Sequence, residues 1–347
     1  PSRFVRRDDP LDRVASERVL SLYLPTSTVP MLPPRVGAEL ASLSPDTRCP
    51  SITFRAVFGA DNALREWSFG RGEVCNGKRL TYEEVDAVLQ GAATTAPVEP
   101  ALLSRLYSAA EALRRTRIEK GAVQIVRPET KVRVTDGEVS VRIIDGESPA
   151  HRLVSEFMVL ANRLAAKYAL SHDIPVIYRT QDPPSGTVPA MTEYDPVVFD
   201  KAVRSMKRTS LSTHPQPHAG LGLDLYTQVS SPIRRYADMV LQRQLAAHLA
   251  GEALPYEAGE LIEILARAEA TEKQNRQLER ESTRYWLIEY ARRNLADAPL
   301  DAQVVPGGGK STIAEVQPYM IRGRLATTEK VRPGDRLVID HPGGRVA

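Results

Sequence analysis

The stretch YTQVSSPIRRYADM, residues 226–239, runs from a Ser-Ser-Pro turn into a double arginine and then into Tyr-Ala-Asp-Met. Ser230 or Ser231 is a good helix N-cap, and Pro232 suits a first helical position, where its missing N–H would be unpaired anyway. Ile233, Ala237, Val240, Leu241 and Leu245 recur at three- and four-residue spacing, which predicts an amphipathic helix over 231–250. Arg234 and Arg235 then fall in its first turn, where the helix already carries partial positive charge. A negative partner is required. It is either a phosphate, for which free N–H groups and guanidinium forks at one helix start form a receptor, or carboxylates elsewhere in the fold.

Outward from this stretch the chain alternates helices and short strands. A helix is expected over 9–24, followed by an irregular proline-rich loop, YLPTSTVPMLPPRVGAELASLSPD. SITFRAVFG and LREWSFG alternate like adjacent antiparallel strands. Thr81 and Glu84 form a capping box ahead of a helix, and a longer helix should cover 98–120. Asp136-Gly137 marks a hairpin turn within KVRVTDGEVSVRII. A long helix capped near Ser148 precedes a strand, IPVIYR, and a helix over 195–209 carries Lys201, Arg204, Lys207 and Arg208 as a basic face. The last long helix is placed over 256–294, and after it the pattern changes to short strands and Gly/Pro turns, so a domain boundary is set near 295.

The 347 residues are 42% hydrophobic and 26% charged, an ordinary globular composition, and the net charge of +3 merely permits a polyanionic partner. No apolar run approaches a membrane span, and no signal-peptide pattern opens the chain. Cys49 and Cys75, without a CxxC spacing, point to a reducing, cytoplasmic setting and away from structural zinc. GGGKST at 307–312 lacks the earlier glycine of a phosphate-cradling loop, since Val304 stands there, and a strand-like segment follows. Pro215 and Pro217 forbid the helix that would align His214 with His218 as metal ligands. Glu83, Glu84 and Asp86 read as a solvated helix face, and Asp8 and Asp9 have no further carboxylates at useful spacing for Mg²⁺.

Taken together, YTQVSSPIRRYADMVLQRQL preceded by PHAGLGLDLY resembles the signature of the RNB domain of the ribonuclease II and ribonuclease R family. YLPTSTVPMLPP, RLTYEEVDAVL, HRLVSEFMVLAN and IPVIYR resemble its other blocks, in family order. The resemblance implies an α+β fold: residues 1–295 form an RNB-type domain, an antiparallel or mixed sheet surrounded by long helices, and 296–347 a short OB-type barrel. It implies hydrolysis of single-stranded RNA from the 3′ end to nucleoside 5′-monophosphates by a monomer using two metal ions, normally Mg²⁺. Arg234 is the catalytic residue this assigns, approaching the scissile phosphate. Tyr23 would pack on the terminal nucleotide, Glu156 would lie close to bound nucleotides, and Glu279 near the terminal ribose. Arg235 is grouped with these RNA-binding residues, although a structural salt bridge is the role favoured for it. Gln124 and Ile125 occupy the place where relatives often carry a base-stacking aromatic. The family's four metal-binding aspartates are expected upstream of Pro1, so no metal ligand is assigned within these residues. The alternative is an inactive RNB-fold protein that binds RNA or regulates.

Overall fold

The computed structural model describes residues 1–92, 98–295, 299–307, 312–325, 327 and 330–339. Helix α1 (Pro10–Arg18) starts at Asp9, whose carboxylate accepts from the Asp12 N–H, and leads into a small hairpin of β1 (Leu22–Tyr23) and β2 (Thr28–Val29). The helix expected to reach residue 24 stops early because Val19 turns to a φ of 60° and the chain goes extended. A π-type turn over Arg35–Leu40 precedes a long two-stranded ribbon, β3 (Arg48–Phe58) and β4 (Leu64–Cys75).

Helix α2 (Tyr82–Leu89) has the predicted box: the Thr81 hydroxyl accepts from the Glu84 N–H, and Glu84 accepts in return from the Thr81 N–H. Helix α3 (Pro100–Glu119) follows. The hairpin of β5 (Glu129–Thr135) and β6 (Glu138–Ile144) turns through Asp136 and Gly137 at φ 52° and 82°, the left-handed pair that this dipeptide favours. Helix α4 (Pro149–Ser171) is capped by Ser148. Strand β7 (Tyr178–Gln181), later than predicted, pairs with β8 (Thr209–Ser212) across α5 (Pro196–Ser205). Helices α6 (Tyr236–Ala250) and α7 (Ala258–Asn294) complete the body, and β9 (Leu300–Val305), β10 (Ile313–Val316), β11 (Ile321–Arg324) and β12 (Arg336–Ile339) form the tail.

Among the described residues the body holds antiparallel strand pairs, not one large mixed sheet. Among the described residues the tail is an antiparallel sheet of four strands in the order β11-β10-β9-β12, and these four do not close the five-stranded barrel of an OB fold. Residues 308–311 of GGGKST lie outside the described residues. No helix among the described residues is long and apolar enough to cross a membrane.

Helix α6 is the centre of the packing. Tyr236, Met239 and Val240 join Val5, Ala15, Met31 and Leu32 from the N-terminal segment and Leu261 and Ile264 from α7. Leu241 and Leu245 face the other way, onto Ala165, Ala166 and Ala169 of α4. The helix is therefore buried nearly all round, which corrects the amphipathic reading. Its buried polar side chains have internal partners, although Arg243 Nε and Asp238 Oδ1 have none: Gln244 donates to the carbonyls of Pro175 and Tyr256, and Arg243 bonds Asp12, the Tyr256 hydroxyl and the Val5 carbonyl. A third cluster packs Leu287 and Ala291 of α7 against Ile321 of the tail and the β5–β6 hairpin.

Candidate functional site

The helix predicted from Ser231 begins at Tyr236, with Arg235 in extended conformation as N-cap and no side-chain cap. Tertiary pairing overrides the local cap signal. The Ser21 N–H donates to the Arg234 carbonyl (3.1 Å), the Tyr236 N–H donates to the Val19 carbonyl (2.8 Å), and Leu20 bridges Arg235. This pairing holds residues 234–236 extended beside 19–21. Ser231 still caps a turn, in reverse: its N–H donates to Asp238 Oδ2 at 2.8 Å.

The two adjacent arginines have different partners. Arg235 pairs with the fully buried Asp238 at 2.7 Å, the structural salt bridge favoured for it rather than an open RNA contact. Burial pushes the Asp238 carboxyl up, against the opposing pull of Arg235. Arg234 is exposed and makes a hydrogen bond to the Ser231 hydroxyl (3.2 Å), with no carboxylate within ion-pair distance among the described residues. Its guanidinium is open to an external anion.

Tyr23 lies two residues beyond Ser21, on the same strand-like segment, with its side chain 47% exposed. Its N–H donates to Glu279 Oε1 at 3.0 Å, a bond across 256 residues of sequence. Arg234, Tyr23 and Glu279 thus converge on one continuous frame. Glu279 continues this frame into a cleft of about 640 Å³ lined by Arg127, Arg276, Arg280, Arg284 and Arg322 over an apolar floor of Leu287, Met320 and Ile321. Arg276, Arg280 and Arg284 recur every four residues, so one face of α7 presents a cation at each ~6 Å step. Some of this charge is matched locally: Arg276 pairs with Glu272, and Arg322 with Glu315 and Asp200. Arg127 lies over the Phe199 ring at 4.8 Å, and Arg280 has no partner among the described residues.

The model of the RNB domain matches residues 1–251, and so covers the frame that carries Tyr23 and Arg234. The chain belongs to the RNB-domain family. A ribonuclease of Synechocystis is 35% identical over 300 residues, covering 85% of this chain and 44% of its own. The chloroplastic and mitochondrial ribonuclease II of Arabidopsis thaliana is 32% identical over 302 residues, covering 84% and 37%. The RNB chain thus spans less than half the length of these curated relatives. Among solved structures, RNase R of Mycoplasma genitalium, in complex with ribose-methylated single-stranded RNA, superposes with a TM-score of 0.80 at 19% identity, covering 97% of this chain and 62% of that one. The yeast pseudonuclease Ssd1 superposes at 0.73 with 17% identity, covering 93% and 44%. At those identities the likeness shows the fold.

Glu156 stands elsewhere in this RNB fold. It is 4% exposed, and both its oxygens accept from Arg117, which also donates to the Leu221 carbonyl at 3.0 Å. The pair locks α3 and α4 to the turn before β-bridge residue Leu223. Glu156, expected close to bound nucleotides, thus stands in a buried ion pair with Arg117, 39 positions away in sequence. No group of three or more His, Cys, Asp or Glu side chains suited to a metal occurs among the described residues, so the donors present do not fit Mg²⁺. Arg127, Arg280 and Arg322 were not singled out in the sequence. The four-residue arginine repeat in NRQLERESTR was the available signal, masked by the alternating charges of its helix.

Proposed function

We propose that this chain is the phosphate- and ribose-gripping part of a hydrolytic exoribonuclease that degrades single-stranded RNA from its 3′ end to nucleoside 5′-monophosphates. The observation that carries the proposal is the convergence of an open Arg234, an exposed Tyr23 and Glu279 on one frame beside an arginine-lined cleft. The names of the relatives, ribonucleases II and R, support the reaction class.

In this reading Arg234 donates to the phosphate under attack and stabilises the charge that develops there. Glu279 fixes Tyr23 through Oε1, leaving Oε2 to accept from a ribose hydroxyl. The exposed Tyr23 ring stacks on the terminal base without selecting its identity. The cleft arginines hold the backbone, so binding is salt-sensitive and sequence-tolerant. Mg²⁺ belongs, in this proposal, to acids of a segment preceding Pro1, and a reducing cytoplasmic setting and a monomeric state go with it. The tail sheet is assigned to RNA as a partial OB-type module.

A second reading, an RNB-fold protein that binds RNA without cutting it, is favoured by the absence of metal-capable clusters among the described residues. Incubating the complete polypeptide with 5′-labelled single-stranded RNA and Mg²⁺ separates them. Release of monophosphates with progressive 3′ shortening is expected; intact RNA bound at micromolar protein selects the second reading and overturns the first.

A further inference from the structure

The basic face of α5 was singled out by its sequence and has no role in the site above. Its position is informative. Asp200 of α5 is paired with Arg322 at 2.8 Å, and Phe199 lies under Arg127, so two arginines that line the cleft rest directly on this helix. Arg204 donates to the Pro306 carbonyl (3.2 Å), and Gln303 donates to Asp195 Oδ2 (3.3 Å), which ties both ends of α5 to strand β9 and the residue after it. Glu315, wholly buried, accepts from Tyr194, Gln317 and Arg322 and fastens the same junction from the tail side. Burial and the Glu315 carboxylate both push the Tyr194 hydroxyl up, so it remains a donor throughout the ordinary pH range.

The outward side of this junction is different. Lys201, Lys207 and Arg208 are exposed and have no ion pair or side-chain hydrogen bond among the described residues. A fixed, welded base carrying cations that no internal carboxylate neutralises is what an extended polyanion requires, since each neutralised phosphate releases a condensed counterion. Arg204, the fourth cation of this face, is tied to the tail, so the three open cations are carried on a segment fixed to the junction on which the cleft arginines rest.

Resting on the exoribonuclease reading, the geometry points to a second RNA-backbone site: the single strand leaves the cleft past Arg127 and Arg322 and continues over Lys201, Lys207 and Arg208 of α5 and its C-terminal extension. The site takes phosphates of nucleotides remote from the 3′ end. It makes grip depend on the length of the strand, while the terminal nucleotides remain held at the cleft.

The test is fluorescence anisotropy on the wild-type chain and on the triple variant K201A/K207A/R208A, all three positions being exposed, with a short oligoribonucleotide that fills only the cleft and a long unstructured one. Thermal unfolding of the variant serves as a fold control. The expected result is a roughly ten- to hundredfold weaker affinity for the long RNA, with the short one within about twofold of wild type. The slope of log K against log salt for the long RNA should fall by about 2, at ~0.7 for each phosphate that is no longer neutralised. Unchanged affinity for the long RNA, or an equal loss on both lengths, overturns the α5 site while leaving the cleft reading intact. Failure of the wild-type chain to bind either RNA overturns both.

Discussion

Arg243 on α6 is buried among Asp12, Tyr256 and the Val5 carbonyl, whereas Arg280 on α7 faces the arginine-lined cleft with no partner among the described residues. The first arginine belongs to a closed circuit: Asp12 also accepts from the Tyr236 hydroxyl at 3.0 Å and from the Asp8 N–H at 2.8 Å. Burial and the neighbouring Tyr256 and Asp12 push the Tyr236 hydroxyl up, so it stays a donor. In the cleft, Arg280 is left without an internal partner among the described residues. A buried guanidinium without its carboxylate costs several kcal/mol, and Arg243 is given Asp12 as that partner. An exposed one is cheap to leave open, and Arg280 is placed where an external anion can supply the missing charge. The same contrast divides Arg235, closed on Asp238, from Arg234, which is open.

The comparison can be broken by experiment. The largest effect is expected at Arg243→Ala, which leaves Asp12 buried and unpaired and should lower unfolding free energy by about 3–5 kcal/mol in urea titrations; a loss under 1 kcal/mol would mean that the circuit is not closed as described. Next comes Arg234→Ala, which should reduce monophosphate release by the complete polypeptide about 10²–10³-fold while leaving unfolding midpoints and RNA affinity nearly unchanged. Equal turnover in wild type and variant would remove Arg234 from the chemistry. Arg235→Ala should do the reverse, costing stability through the orphaned Asp238.

Acid provides a subtler probe. His218 is 6% exposed, its Nδ1 has no partner, and burial lowers its pKa to about 4 from an ordinary 6.5. The native state keeps it neutral where the unfolded chain takes up a proton, so its stability contribution is complete above pH 6.5 and is lost as pH falls toward 4. The loss amounts to ~3 kcal/mol, read as the change in unfolding free energy between pH 7 and pH 4, and it should be absent in His218→Gln. The smallest effect belongs to Arg280→Ala: RNA affinity down by less than about tenfold, the salt slope shallower by ~0.7, and stability unchanged within ~0.5 kcal/mol.

Much of the fold was legible because it is decided locally. The Thr81–Glu84 box, the Asp136-Gly137 turn and the Ser148 cap each need only a few neighbouring residues, and each forms as read. The start of α6 was not legible, because the Ser-Pro cap signal is outweighed by backbone pairing with residues more than two hundred positions away. The burial of Glu156 was not legible for the same reason, Arg117 being invisible from its own helix. Tyr23, Arg234 and Glu279 were reached through family resemblance, and their physical links, the Ser21 N–H to the Arg234 carbonyl and the Tyr23 N–H to Glu279, could not be read from spacing. Arg280 stands out by its lack of an internal partner, which becomes apparent only once the paired arginines are known.

The short ladder joining residues 19–21 to 234–236 has a mechanical consequence. It sets the offset between the aromatic ring and the open guanidinium in units of one strand residue. Deleting a single residue between Ser21 and Tyr23 would slide the ring by ~3.3 Å and turn it to the opposite side, with neither residue mutated. The spacing between the ring and the guanidinium is thus written into residues 19–23, far in sequence from the arginine they sit beside.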